Sequence, residues 1–351
     1  MKNKGIGVIA ALALQLASIH AQSQEVTPQA RGPIIDVHVH SADIVKHFLP
    51  AGPPHHFCHD PFEFTDPGAQ PMKRDQPSLD DIISCGGQEM KSPETNEAFR
   101  EEILAEMKKY DIVLGINSDT DLARMKEWEQ ASDFELWPAA LVWKGGWSAE
   151  ETRALAQQGK VKVIGEIAVQ YNGLGADDPM LQDYYALAEE QDLPVGIHIA
   201  AGAPGNDYIG YAGSDPFNSA ATRPLDVERI LRKYPKLRIY VMHAGWPALD
   251  EMLLLMYMHP QVYVDISMIN WTIPRKEFHR YLETLMGAGM GKRIMFGTDY
   301  GSWPAAVGES IEAIDTAEFL TAEQKRDIFY NNAVRFLRLD PKTLKPLAKR
   351  Q

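Results

Sequence analysis

The sequence contains little cysteine and no excess of positive charge. Cys58 and Cys85 are its only cysteines, in a chain of 351 residues, so at most one intramolecular disulfide can form. The formal net charge is -13 at pH 7. This excess of acidic groups argues against nucleic acid or an anionic membrane surface as the partner. We therefore expect the partner to be a small-molecule substrate.

Apolar runs long enough to span a membrane are also lacking near the amino terminus. Residues 6–17 form an apolar stretch that is too short for a transmembrane helix. Lys2 and Lys4 precede it and small or polar residues follow, so residues 1–23 are predicted to be a cleaved signal peptide. A retained anchor or a buried first helix is the alternative. The expected location is periplasmic or secreted, where the two cysteines can pair if the fold brings them close enough.

A glycine-rich nucleotide-binding turn is missing after the first predicted strand. From residue 93 onward, amphipathic helical stretches alternate with short apolar runs, which is typical of a parallel sheet built from strand-helix units. Eight units in one domain, residues 31–340, favour a closed (β/α)8 TIM barrel over an open doubly wound sheet. After the strand that ends at His40, the predicted strands are Asp111–Ile116, Leu136–Trp143, Val161–Val169, Pro194–Ile199, Leu237–His243, Val262–Ile266 and Arg293–Thr298.

Residues 41–93 fit neither a helical nor a strand period, and they are rich in Pro, His, Asp and Gly. We interpret them as one long insertion after the first strand and as a candidate lid. The cluster His55, His56, Cys58 and His59 lacks the paired spacing of a structural zinc site, so we do not expect a second metal there.

Histidines and acidic residues recur at the ends of the predicted strands. His38 and His40 alternate along the first strand, so both imidazoles can face one ion, although half-buried strand histidines would show the same spacing. Four further residues lie in or at the ends of later strands: Glu166, His198, His243 and Asp299. In a barrel, the carboxyl ends of the strands share one mouth. The sequence therefore predicts one composite site.

These motifs resemble the amidohydrolase superfamily, in the amidohydrolase-related branch that includes aminocarboxymuconate semialdehyde decarboxylase and pyrone dicarboxylate lactonase. The likeness extends roughly from Ile34 to Leu339. The motifs that carry it are Asp36-Val37-His38-Val39-His40, His198 in Val-Gly-Ile-His, His243 in His-Ala-Gly-Trp-Pro, Asp299 in Phe-Gly-Thr-Asp-Tyr-Gly, and Asn331-Asn332-Ala333-Val334-Arg335-Phe336-Leu337.

The resemblance implies roles for these residues. His38, His40, His198 and Asp299 would bind a divalent metal, with Zn²⁺ expected and Mn²⁺ or Fe²⁺ as alternatives. Asp299 would also transfer protons, and His243 would orient or deprotonate the attacking water. Glu166 would either contact metal, as a bridge between two ions, or hydrogen-bond to a ligand from behind, which leaves the number of ions open.

Several other residues allow two interpretations. Arg223 would either clamp a substrate carboxylate or lie solvated at the start of a helix. Asp36 and Asp265 are expected to be structural carboxylates, and Asp36 is expected to share the inward face with His38. Tryptophans that follow the strands would wall the mouth or simply pack in the core; they are Trp143, Trp147, Trp246, Trp271 and Trp303.

The expected reaction is hydrolysis, in which the metal lowers the pKa of a bound water toward about 7 and the resulting nucleophile attacks an ester, lactone or amide. A non-oxidative decarboxylase acting on an unsaturated or aromatic carboxylic acid would use the same metal and is the first alternative. A non-catalytic periplasmic binding protein is the second. The apolar segment Met252-Leu253-Leu254-Leu255-Met256 could be core or the contact of a homodimer.

Overall fold

The computed structural model describes residues 31–44, 56–66, 68, 79–143, 146–202, 204–205, 217–340 and 342. The predicted signal peptide and His55 lie outside these residues. In chain order the strands are β1 (Ile34–His40), β2 (His56–Cys58), β3 (Phe62–Phe64), β4 (Ile83–Cys85), β5 (Glu89–Lys91), β6 (Ile112–Asp119), β7 (Glu135–Val142), β8 (Val163–Ile167), β9 (Val195–His198), β10 (Ile239–Met242), β11 (Tyr263–Asp265) and β12 (Ile294–Met295).

Eight of these strands form one parallel sheet in the order β1-β6-β7-β8-β9-β10-β11-β12. The first and last strands approach each other, since the backbone N–H of Val37 donates to Phe296 O at 3.0 Å and that of Asp299 donates to His38 O at 2.9 Å. The buried Asp36 carboxylate strengthens this closure by accepting from the Thr298 hydroxyl at 2.6 Å and from the Thr298 N–H at 3.0 Å. The prediction of an eight-stranded TIM barrel is confirmed.

Helices follow the barrel strands, and local capping fixes where several of them begin. For example, Ser148 and Glu151 form a capping box, in which each side chain hydrogen-bonds the other residue's backbone N–H. The helices are α1 (Asn96–Lys109), α2 (Leu122–Ala131), α3 (Ala149–Gln157), α4 (Gln182–Gln191), α5 (Asp226–Lys233), α6 (Leu249–Met258), α7 (Ile269–Thr272), α8 (Arg275–Gly287), α9 (Ala305–Asp315), α10 (Ala322–Arg326) and α11 (Asn332–Leu337). Within the described part of the chain, every helix is too short or too polar to cross a membrane.

Alternation along β1 is interrupted, which the sequence pattern does not indicate. The pairing register with β6 shifts between Asp36 and Val39. Val37 packs with Ile35 in the smaller of two apolar clusters, whereas Val39 packs with Ile34 in the larger one. A simple period of two, which predicts that Asp36 and His38 share a face, therefore does not hold across the strand.

The described part of the insertion is folded. β2 pairs with β5 and β3 pairs with β4, both antiparallel, and a disulfide joins Cys58 to Cys85. The ring of Phe57 packs against two barrel tryptophans, Trp271 at 5.1 Å and Trp303 at 5.5 Å between ring centroids. The insertion is thereby anchored against the segments that follow β11 and β12.

Candidate metal centre and active site

The predicted residues converge at the carboxyl ends of the barrel strands. His38 Nε2 lies 3.0 Å from His40 Nε2, and His40 Nε2 lies 3.6 Å from Asp299 Oδ1. Ligand atoms of His38, His40 and Asp299 all lie within 4.8 Å of one another, as do those of His38, Glu166 and His243. The residues come from β1, β8 and the segments after β10 and β12, so the barrel alone brings them together.

His38 is oriented by two residues from the end of β11. Its Nδ1 lies 3.2 Å from Asp265 Oδ2 and 2.8 Å from Ser267 Oγ. The other oxygen of Asp265 accepts the backbone N–H of Ser267 at 3.0 Å and that of His243 at 2.9 Å. A carboxylate beside Nδ1 favours the tautomer with the proton on that atom, which leaves the Nε2 lone pair directed at the centre.

His40 is oriented in the same way by β6. Its Nδ1 lies 3.1 Å from the carbonyl oxygen of Ser118, so Nδ1 donates and Nε2 keeps its lone pair. The hydroxyl of the same serine accepts the backbone N–H of Glu166 at 2.7 Å. Ser118 therefore positions both His40 and Glu166, whose carboxylate Oε2 lies 3.4 Å from His40 Nε2.

His198 and His243 lie on the other side of Glu166. His198 Nδ1 is 2.5 Å from Glu166 Oε1 and 3.1 Å from His243 Nε2. His243 Nδ1 faces the Ser267 carbonyl at 3.1 Å, so its Nε2 also points inward. His198 Nε2 is buried without a hydrogen-bond partner among the described residues, whereas Nδ1 faces both Glu166 and His243.

Two of these residues have an unusual backbone. His243 has φ of 57° and Asp299 has φ of 43°, in the left-handed region that non-glycine residues rarely occupy. Such conformations are costly and tend to occur where a side chain must be aimed. Here they direct His243 Nε2 and Asp299 Oδ2 to within 3.9 Å of each other.

The carboxylates set the charge balance of the centre. Burial lowers the pKa of His38, but Asp299, Asp265 and Glu166 outweigh that effect and hold it well above its usual value. Burial raises the pKa of Glu166, yet its hydrogen bond and charge interaction with His198, with help from His243 and His38, hold it well below its usual value. Burial lowers the pKa of His198. The centre thus combines an ionised Glu166 carboxylate with a His38 imidazole whose protonated form the surrounding carboxylates stabilise.

This donor set fits a divalent ion. The inner nitrogens of His38 and His40 lie 3.0 Å apart, while each outer nitrogen faces an acceptor. Two lone pairs at that distance repel each other, and a cation between them, either a shared proton or a metal ion, removes the repulsion. Imidazole nitrogens with carboxylate oxygens, each imidazole oriented from behind, are typical ligands for zinc, manganese or iron.

The structure separates the predicted residues into a cluster and an outlier. His38, His40, Glu166, His198, His243 and Asp299 lie together, as the distances above show. Arg223 lies elsewhere: its side chain is 56% exposed and pairs with Glu251 at 3.8 Å. The sequence interpretation missed the orienting residues Ser118 and Ser267 and gave Asp265 only a structural role. The position of Asp265 and Ser267 at the end of a barrel strand was the available signal.

Predicted tryptophans and loop histidines have separate surroundings. Trp246 lines the cavity beside His243, whereas Trp271 and Trp303 pack beneath the insertion. His56 pairs with Glu89 at 3.4 Å, and His59 pairs with Glu309. Each of these loop histidines therefore has an acidic partner.

The fold is a TIM barrel, and the residues at its strand ends are candidate metal ligands. The amidohydrolase family matches residues 35–339, and the chain belongs to that family. Among curated proteins, the comparison found no match.

Solved structures share the architecture at low identity. An uncharacterised TIM-barrel protein from Bordetella bronchiseptica is 18% identical over 71% of this chain and 86% of its own, with a TM-score of 0.55. A probable 2-pyrone-4,6-dicarboxylic acid hydrolase from Acinetobacter baumannii is 13% identical over 88% of this chain and 100% of its own, with a TM-score of 0.54. The 5-carboxyvanillate decarboxylase from Sphingomonas paucimobilis is 18% identical over 68% and 82%, with a TM-score of 0.48. The first two structures have the same fold as this chain.

Proposed function

We propose that this protein is a metal-dependent hydrolase that cleaves an ester, lactone or amide bond of a small organic substrate. The observation that carries the proposal is the convergence of His38 Nε2 and His40 Nε2, at 3.0 Å, beside the carboxylates of Glu166 and Asp299. A divalent ion bound by these residues would supply the Lewis acidity that activating water and polarising a carbonyl require.

His38, His40 and Asp299 are the proposed ligands, with His198 and Glu166 completing the set. Asp299 is also the proposed proton acceptor, because its carboxylate lies at the candidate metal site, with Oδ1 3.6 Å from His40 Nε2 and Oδ2 3.9 Å from His243 Nε2. His243 lines the cavity and has its Nδ1 committed to Ser267, so its Nε2 is placed to hydrogen-bond a substrate oxygen. The exposed side chain of Arg223 pairs with Glu251, which does not support a role in substrate binding.

Export to an oxidising compartment is part of the proposal. The Cys58–Cys85 disulfide supports it, since such bonds persist chiefly in periplasmic and secreted proteins. Homodimer formation stays a prediction; Leu254, Tyr257 and Met258 on α6 are the exposed apolar residues that would serve it.

Hydrolysis is tested by assaying a panel of esters, lactones and amides with the purified protein, with chelator-treated protein, and with the variants His38→Ala and Asp299→Ala. We expect only the untreated purified protein to turn over substrate. Adding Zn²⁺ or Mn²⁺ to the chelator-treated protein should restore its activity. Carbon dioxide release from aromatic or unsaturated acids, without hydrolysis, would replace the proposal with decarboxylation. Full hydrolysis by metal-free protein would refute the metal-dependent mechanism.

A further inference from the structure

A cavity of about 490 Å³ lies between the insertion and the barrel mouth. Phe64 and Ile82 of the insertion form one wall, Trp246 and Ile269 of the barrel form another, and His243 lies in the same lining. This volume is in the range of small-molecule sites. Any substrate group that fills the cavity therefore lies beside the candidate active site and touches both parts of the chain.

Three side-chain donors in the cavity walls already have hydrogen-bond acceptors. Thr272 Oγ1 donates to Met268 O at 2.9 Å, Thr65 Oγ1 donates to Asp81 O at 2.9 Å, and Trp246 Nε1 donates to Glu277 at 3.3 Å. Trp246 thus presents its apolar ring to the cavity. No Lys, Arg, Asp or Glu is among the described lining residues. A charged group placed between these walls would lose part of its hydration and would meet no oppositely charged Lys, Arg, Asp or Glu side chain among the described lining residues.

The insertion wall is held firmly against the barrel. Besides the packing of Phe57, Glu309 on α9 contacts His59 of the insertion and accepts a hydrogen bond from Arg275 Nη2, the latter at 3.1 Å. The backbone N–H of Arg275 in turn donates to Asp60 of the insertion at 2.8 Å. β3, which carries Phe64, pairs with β4, which carries the disulfide residue Cys85. Phe64 is therefore fixed in place rather than carried on a free loop.

Phe64 is nevertheless 51% exposed. A half-exposed aromatic ring lies on a fixed wall and faces other apolar residues across the cavity. Binding of an aromatic group that covers this ring is favourable, because it removes apolar surface from water. We propose that the cavity binds an uncharged aromatic group of the substrate and that Phe64 is a specificity-determining residue. This inference rests on the proposed function only in assuming that the substrate bond next to the aromatic group is the one that is cleaved.

Equilibrium binding tests this inference without turnover. Isothermal titration calorimetry of the metal-loaded protein would use benzyl alcohol and two charged derivatives, 4-(hydroxymethyl)benzoate and 4-(hydroxymethyl)benzylammonium. We expect benzyl alcohol to bind at least about tenfold more tightly than either derivative. Phe64→Ala should weaken benzyl alcohol binding about five- to tenfold, the usual contribution of one aromatic pair. The matched control is Met180→Ala, because Met180 is equally exposed, at 51%, and lies outside the cavity lining.

Equal binding of a charged derivative, absence of benzyl alcohol binding, or equal effects of the two variants would overturn the inference. These results are separate from those that test hydrolysis. A protein that hydrolyses nothing but shows the expected binding pattern refutes only the proposed function. A protein that hydrolyses esters with no dependence on Phe64 refutes only the aromatic subsite.

Discussion

His38 Nδ1 lies 3.2 Å from Asp265 Oδ2, and both side chains are buried. The carboxylate is at the end of β11 and the imidazole is in β1, so the contact exists only in the closed barrel. It fixes the proton on Nδ1 and leaves Nε2 directed at His40. The orientation of one ligand is thus decided by a residue 227 positions away in the chain.

Asp265→Asn should therefore weaken metal binding without removing a proposed ligand. We expect a loss of affinity of about 10- to 100-fold, the usual effect of altering a residue that orients a ligand from behind. The measurement is competition for Zn²⁺ with a chromogenic chelator. Asp183→Asn, an exposed change on α4, is the control and should leave affinity unchanged. Equal affinities for the two variants would mean that Asp265 does not orient a ligand.

Thr298→Val should destabilise the barrel at its closure. The substitution keeps the shape of the side chain but removes the hydroxyl that donates to Asp36 at 2.6 Å, leaving a buried carboxylate oxygen without that donor. The free energy of unfolding should fall by about 1–3 kcal/mol, as measured by urea denaturation. Thr284→Val on α8 deletes a hydroxyl that donates only to its own helix, to Arg280 O, and should cost less. A larger loss in Thr284→Val would contradict the account.

Gly196→Ala should be destabilising because β9 packs closely against β10. A Cβ at this position would lie 2.6 Å from side-chain atoms of Tyr240 and of Met242, and such overpacking usually costs about 1–3 kcal/mol. Gly287→Ala at the end of α8 meets no atom within 4 Å and should be neutral or slightly stabilising. Thermal unfolding of both variants checks this. A stabilised Gly196→Ala would show that there is more room for a Cβ at this position than we infer.

The sequence alone predicted the barrel and the residues that meet at its mouth, because alternating strand-helix units leave few topologies and strand ends share one face. His38, His40, His243 and Asp299 were found by that rule. Ser118 and Ser267 were not predicted, since their roles depend on the backbone register between strands. The small sheets of the insertion were missed for another reason: strands of three residues carry too little pattern to recognise. The separation of Cys58 and Cys85 likewise depends on those sheets.

The double variant Cys58→Ser/Cys85→Ser should loosen the insertion but leave the barrel intact. The two cysteines are separated by 27 residues in the sequence. For a loop of that length, removing the disulfide is expected to lower the free energy of unfolding of the insertion by roughly 3–4 kcal/mol. Hydrogen exchange should quicken at β2–β5 and remain unchanged at β6–β12. Uniform acceleration across the barrel would contradict the view that the insertion folds against a barrel that does not need it.

The histidines and carboxylates at the strand ends are proposed to hold a catalytic divalent ion. Metal content, measured by inductively coupled plasma mass spectrometry alongside hydrolysis in the same samples, tests it most directly. We expect at least about one equivalent of zinc, manganese or iron in the protein and in His259→Ala, whose histidine lies outside the cluster, with metal and activity lost together in His38→Ala and His40→Ala. Undiminished hydrolysis by protein that contains no divalent metal would show that these residues do not hold a catalytic ion.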